Sequence, residues 1–403
     1  MRRTLVCLAL TAILLVRPGD ARAQGTLQAT DVQVGYTYGE ELTISARLEA
    51  PAAIQSGVLF LEPDGVAQPS SLPLSLGADG LAQVTTQVQP GLLRPFVRIT
   101  FWFQAELADG ESLLSPTYDF TYDDNRHTWQ TLDGGLLRVH WYDGDAAFGQ
   151  AALQAARSGL QAVQAILPAP SQAPTDIYIY ASAADVQETL GLGGLSWVGG
   201  HASPDLGVVL VSIAPGADQA DGFANQIPHE LAHVLLYRLT GSSYDILPTW
   251  LREGLAELAE QAPNGDNARM LAQAAANGAL LPIGDLCGLF PQDTSGASLA
   301  YAESASFTRF LSDAYGSGPL QALIQAYAGG KDCQAGPQQA MGESLSQLEA
   351  HWKQTVLGVQ QNGLAFSDLL PYLVVLLAIL VGPAIYILVA LRRRSVHDHD
   401  GPK

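Results

Sequence analysis

Positive charge is scarce in this chain: Lys and Arg number 20 against 39 Asp and Glu in 403 residues, a formal charge of −19. Proteins that bind nucleic acid without regard to sequence neutralise phosphates with clustered Lys and Arg. No nucleic-acid partner is therefore expected. Charge of either sign is also low, at 15% against 48% hydrophobic residues, and this excludes a disordered chain because apolar surface is ample to offset chain entropy. Three cysteines are too few for a disulfide-built scaffold. There is no Asn-x-Ser/Thr acceptor, which favours a prokaryotic source, and no repeat at a solenoid period.

Two apolar stretches lie at the ends. Met1-Arg2-Arg3, an apolar run over about 5–16 and Ala21-Arg22-Ala23 read as a secretory signal over residues 1–23, cut after Ala23. Leu369 to Leu391 carries no charge and is followed at once by Arg392-Arg393-Arg394. Its length suits a bilayer, and the arginines hold the C-terminus in the cytoplasm. The expectation is a single-pass membrane protein with a transmembrane helix over 368–391, a cytoplasmic tail over 392–403 and everything N-terminal to the helix outside. Cys7 leaves with the signal, so Cys287 and Cys333 remain as one pair in an oxidising compartment.

Over 24–125, short runs alternate apolar and polar residues, as in Leu42 to Leu48 and Val97 to Phe103, with Pro, Gly, Ser and Asp between them. Period-2 alternation without helical spacing predicts an antiparallel β-sandwich of immunoglobulin or fibronectin type III character, with about seven strands. Asp123 to Arg126 reads as its exit linker. Over 126–360 the pattern changes. Strands are expected at Gly135 to Tyr142, Asp176 to Tyr180 and Leu206 to Val211, helices at Phe148 to Ile166 and Ala184 to Leu190, and an almost wholly helical stretch over about 220–357. The fold class is α+β.

One segment carries chemistry. His229-Glu230-Leu231-Ala232-His233 places two imidazoles at i and i+4, just over one helical turn apart, so both leave one face and can reach one cation. Zinc suits neutral imidazole, and a catalytic zinc site has three protein ligands and one open position. Glu230, beside the first histidine, can then serve as general base toward water. Leu231, Val234, Leu235 and Leu239 supply an apolar stripe. Pro228 must either start this helix or kink a longer one beginning near Asp221.

The third ligand is expected on a neighbouring helix, in Pro248-Thr249-Trp250-Leu251-Arg252-Glu253-Gly254-Leu255-Ala256-Glu257. Pro248 suits a first turn, Glu253 follows one turn in, and Glu257 lies one turn further on the same face. Glu253 stands among apolar residues, where an unpaired carboxylate is rare. Gly254 is expected to let the two helices approach closely, and Glu257 to orient a ligand histidine.

HELAH followed by WLREGLAE resembles the gluzincin metallopeptidases of the thermolysin and aminopeptidase type, and more broadly the peptidase MA-like metallohydrolases. The resemblance implies one zinc per chain, held by His229, His233 and Glu253, with Glu230 as general base, Glu257 behind the ligands and a peptide or protein as substrate. It covers His140 to about Tyr315. In such folds an edge strand pairs with the substrate backbone, and Gly207 to Ser212 is the candidate. There is no Gly-x-Met-Glu-Asn segment, so an aminopeptidase role is not implied. The oxyanion donor is expected to be Tyr301, with Tyr244 and His201 as alternatives; His127, His140 and His351 stand alone.

The leading expectation is thus a membrane-anchored, extracytoplasmic zinc metallopeptidase. The alternative is an adhesion or scaffold module whose metal site is structural or inactive, with the sandwich as working surface. The oligomeric state is not legible in the sequence.

Overall fold

The computed structural model describes residues 26–88, 93–169, 173–192, 199–262 and 265–359, with scattered positions between 372 and 386. They fall into two compact units: one runs to Gly241 and includes Ala259–Ala262, and the other comprises Ser242–Leu258 and the residues from 265 onward. The expected signal and cytoplasmic tail lie outside the described residues, as does most of the 369–391 run. Its described members, including Tyr372, Val374–Leu377 and Tyr386, are helical, and their side chains are exposed. Among the described residues no helix is long and apolar enough to cross a membrane.

The first unit opens with the expected alternation realised as antiparallel strands. β1 (Gln28–Thr37), β2 (Glu41–Glu49), β6 (Leu81–Gln87) and β5 (Ser75–Leu76) form one sheet in the order β1-β2-β6-β5. β4 (Ser70–Pro73), β3 (Ile54–Pro63), β7 (Arg98–Leu107) and β8 (Ser112–Leu114) form a second, with β9 (Tyr118–Thr121) also paired to β7. Inward residues of both sheets, among them Leu42, Ile44, Leu59, Phe101 and Phe103, share one core. Among the described residues that makes nine strands where about seven were expected, because β5 and β8 are too short to show a period.

Within the expected exit linker, Asp123 to Arg126, one side chain is buried while Asn125 and Arg126 are exposed. Asp124 is fully buried and accepts hydrogen bonds from Arg126, Tyr180 and Thr189. Burial alone would push its carboxyl up, but the hydrogen bond and charge of Arg126, with Thr189, hold it below the usual carboxylate range.

A five-stranded mixed sheet follows, in the order β10-β11-β12-β14-β13, built from β10 (Gln130–Asp133), β11 (Leu137–Trp141), β12 (Thr175–Tyr180), β13 (Gly200–Ser203) and β14 (Val208–Ser212). β11, β12 and β14 run parallel, and β10 and β13 close the two edges antiparallel. The expected edge strand, Gly207 to Ser212, is therefore internal. Its Val208-Val209-Leu210-Val211 run is wholly buried, as fits a central strand covered on both faces, and the edge belongs to β13.

Helix α1 (Ala146–Ile166) starts where Asp145 accepts from the Ala147 and Phe148 amides. Helix α2 (Ala183–Thr189) starts at Ser182 in the same way. Small residues let α1 settle closely. A Cβ on Gly149 would lie 2.3 Å from the Trp141 ring of β11, and one on Gly159 would lie 2.8 Å from Pro228 on α3 (Gln219–Thr240). Pro228 thus sits inside a longer helix, the second of its two expected placements.

The second unit holds α4 (Thr249–Ala259, but for its last residue), α5 (Gly265–Asn277), α6 (Thr294–Tyr315), α7 (Ser317–Ala328), α8 (Ala335–Met341) and α9 (Leu345–Thr355). Its core includes Trp250 against Phe307, ring centroids 5.0 Å apart, and Phe307 against Trp352 at 5.7 Å. Cys287 and Cys333 are joined, Cα atoms 6.1 Å apart, as their isolation in the sequence suggested.

Candidate metal site on α3 and the β13 edge

Helix α3 buries Leu231, Ala232, Val234, Leu235 and Leu236, which fixes its rotation. Gln226, one turn before Glu230, clamps it to the sheet: its Oε1 accepts from the Ser212 amide at 3.0 Å and its Nε2 donates to the Ser212 carbonyl at 3.0 Å. With α3 so held, His229 and His233 project from successive turns, ring centroids 5.3 Å apart. His233 and Glu230 are both buried.

The Glu230 carboxylate lies against the β13 edge, where a Cβ added to Gly200 would fall 2.5 Å from its Oε1. Gly200 therefore faces α3, and strand pleating turns the next residue, His201, to the opposite face of the sheet. There burial, with the Arg94 charge adding to it, holds the His201 pKa below its ordinary value. His201 is thereby directed away from Glu230. An open cleft of about 520 Å³ lies where β14 ends and α3 begins, lined by Ser212, Gly222, Asn225 and Gln226 among others.

His229 has a partner that the sequence did not reveal. Its Nδ1 lies 3.0 Å from Oε1 of Glu260, both side chains about 15% exposed. A carboxylate accepts only, so in the neutral ring Nδ1 carries the proton and Nε2 the lone pair. Glu260 belongs to a short return of chain, 259–262, that rejoins the first unit. The structure thus gathers His229, Glu230 and His233 with Glu260. Two imidazoles one turn apart, the first oriented by a carboxylate, suit zinc in donor type and in orientation.

The remaining expected residues lie in the second unit. Glu253 and Glu257 stand half-buried on α4, and Glu257 Oε2 accepts from Asn267 Nδ2 at 3.3 Å. Gly254 does mark a close approach, but of α4 to α6, since a Cβ there would meet Thr308 Oγ1 and the Ser304 carbonyl at 2.1 and 2.5 Å. Tyr244 lies under the Arg252 guanidinium, 5.1 Å from it. Tyr301 on α6 meets the Phe290 ring edge-on at 5.2 Å.

The Peptidase MA superfamily model matches residues 155–358, just over half of the chain. A search of curated proteins finds no match. Among solved structures, similarity extends to a myokine (11% identity, 24% of this chain and 98% of that one, TM-score 0.20). It also extends to OgpA from Akkermansia muciniphila in complex with an O-glycopeptide (13%, 25% and 30%, 0.20) and to the purple acid phosphatase PPD1 from yellow lupin (10%, 51% and 40%, 0.21).

Proposed function

We propose that this chain, which belongs to the Peptidase MA superfamily, is a zinc metallopeptidase of the gluzincin type, anchored by its C-terminal apolar run with the catalytic region outside the cytoplasm. The family makes it metallopeptidase-like. The finer reading rests above all on one observation, the placement of the Glu230 carboxylate between the two histidines in sequence and against the Gly200 backbone in space. A structural zinc site has no use for a carboxylate aimed at a sheet edge.

His229, His233 and Glu253 offer two imidazole nitrogens and a carboxylate oxygen, one donor atom each. This is the set that leaves a fourth position open in catalytic zinc sites. Zinc, when bound, would supply the positive charge that polarises a scissile carbonyl and eases deprotonation of water. Glu230 accepts that proton and returns it to the departing amine. β13, at the sheet edge, offers its outer backbone groups to an extended substrate strand. The cleft beside Gln226 gives a substrate side chain room one turn along α3 from the base. Tyr301 is assigned the hydrogen bond to the developing oxyanion. The exposed apolar side chains between Tyr372 and Tyr386 support the anchor, because so many have no place on a water-facing helix.

The test is metal analysis of the full-length protein together with a broad peptide-library digest. One zinc per chain and cleavage that a chelator abolishes are expected. A zinc-loaded protein that cleaves no peptide would favour the scaffold alternative, and zinc content unchanged in His233→Ala would remove the ligand assignment.

A further inference from the structure

Pro228 lies immediately before the first histidine and has no N–H. In an α-helix each amide donates to the carbonyl four residues back, so Pro228 leaves the Ala224 carbonyl without its helical donor. The structure shows what takes that place: the Gln261 amide, at 3.0 Å. Two further hydrogen bonds secure the same segment, from the Ala262 amide to Asn225 Oδ1 at 2.8 Å and from Ser158 Oγ to Gln261 Oε1 at 3.2 Å. The return segment is thus tied to α3 through the gap that Pro228 opens, and to α1 besides. Glu260, one residue before Gln261, is thereby delivered to His229 Nδ1.

The geometry points to Glu260 as the positioning residue that fixes His229 with Nε2 presented for the metal, and to Pro228 as the residue that makes room for it; this rests on the zinc reading above. Glu257, four beyond Glu253, was the carboxylate expected to orient a ligand histidine; Glu260, seven beyond Glu253, is the one whose Oε1 lies 3.0 Å from His229 Nδ1. Glu260 reaches His229 because the chain has turned back across α3 after α4 ends. A carboxylate on the far ring nitrogen fixes the tautomer and ring plane and raises ligand basicity, and losing one typically lowers metal affinity 10- to 100-fold.

The experiment compares full-length wild type, Glu260→Leu, Glu260→Gln and Pro228→Ala. Zinc affinity is measured by competition with a chromophoric chelator. Thermal unfolding without metal serves as the folding control, and nitrogen NMR of the His229 ring is recorded on metal-free protein at a pH where the ring is neutral. Glu260→Leu is expected to lose about 10- to 100-fold in zinc affinity with a metal-free unfolding midpoint close to wild type, and to lose the Nδ1–H tautomer. Glu260→Gln keeps an acceptor and should keep the tautomer, with a smaller loss of affinity. Pro228→Ala returns a competing donor to Ala224 and should speed exchange of the Gln261 amide while weakening zinc. Zinc affinity within twofold of wild type in Glu260→Leu, or an Nε2–H tautomer in the wild-type protein, would overturn the assignment. Wild type that holds the Nδ1–H tautomer but binds no zinc would leave the orienting contact standing and remove the metallopeptidase reading instead.

Discussion

The Glu230 carboxylate and the Gly200 backbone occupy one small space: the nearest carboxylate oxygen is 2.5 Å from where a Gly200 side chain would begin. A Cβ cannot stay at that distance, so Gly200→Ala must move Glu230, β13 or both. Gln226 holds α3 to Ser212 on the neighbouring strand, and Glu230, being the terminal group, is expected to yield. A misplacement of about 1 Å at a reacting group can cost about 100-fold. Gly200→Ala should therefore lose roughly that much in kcat/KM and retain its zinc. Full activity in this variant would show that Glu230 does not act from the observed position.

Glu230→Gln removes basicity and keeps size. If Glu230 takes the proton from water, turnover should fall more than about 100-fold, at the lower end of what a positioned base contributes, while zinc content and fold persist. Tyr301→Phe should lower kcat without releasing metal. The decisive comparison is single-turnover cleavage of one library-derived peptide by the three zinc-loaded proteins. Equal rates in wild type and Glu230→Gln would rule out the proton-transfer role.

The parts of this site that were legible share one property: their meaning lies within a single element. Two histidines at i and i+4 face the same way on any helix, and a proline beside them marks either the start of the helix or a kink within it. Glu260 was not legible, because its role depends on where the chain goes after α4. The substrate edge was misread for a related reason. The Val208 to Val211 run is the stronger strand signal because it is central and buried on both faces, whereas β13, Gly200-His201-Ala202-Ser203, has neither a long apolar run nor β-branched residues. Alternation revealed the antiparallel strands of the N-terminal sheets, yet it could not show that Asp124, one of several acidic residues in an apparent linker, would be the fully buried acceptor beneath Arg126, Tyr180 and Thr189.

Topology provides an independent prediction. If the proposed anchor keeps Arg392 to Arg394 in the cytoplasm, protease added to intact cells should digest the region N-terminal to the apolar run and spare a C-terminal tag. Degradation of the tag from outside would reverse the orientation.

The bridge between Cys287 and Cys333 closes a loop with a sequence separation of 46 residues. In the chain-entropy treatment such a loop contributes about 4 kcal/mol by restricting the unfolded chain. Reduction, or Cys287→Ser with Cys333→Ser, should lower the urea midpoint of the metal-free protein. Two thiols that label under denaturing, non-reducing conditions would show that the bridge does not form in the cell.

Glu303 on α6 provides the last prediction, a pH dependence of stability separate from the metal site. It is fully buried; its Oε1 accepts from the Leu281 amide at 2.9 Å, while its Oε2 has no hydrogen-bond partner among the described residues. Burial is the main cause that pushes its carboxyl from 4.5 up to about 7; the Leu281 hydrogen bond and the Lys353 charge oppose the shift. At low pH both folded and unfolded chains hold the proton, so Glu303 causes no slope. Between about 4.5 and 7 the unfolded chain has released it and the folded chain has not, so raising the pH favours unfolding. Above about 7 the loss is complete. Glu303→Gln keeps the acceptor for Leu281 but has nothing to ionise, so it should match wild type near pH 4 and exceed it progressively up to pH 8. The difference should reach at most about 3 kcal/mol, the equivalent of the shift at 1.36 kcal/mol per unit. Urea unfolding of the metal-free proteins from pH 4 to 8 measures it directly. A constant difference across that range would mean that Glu303 titrates alike in both states and that its burial carries no ionisation cost.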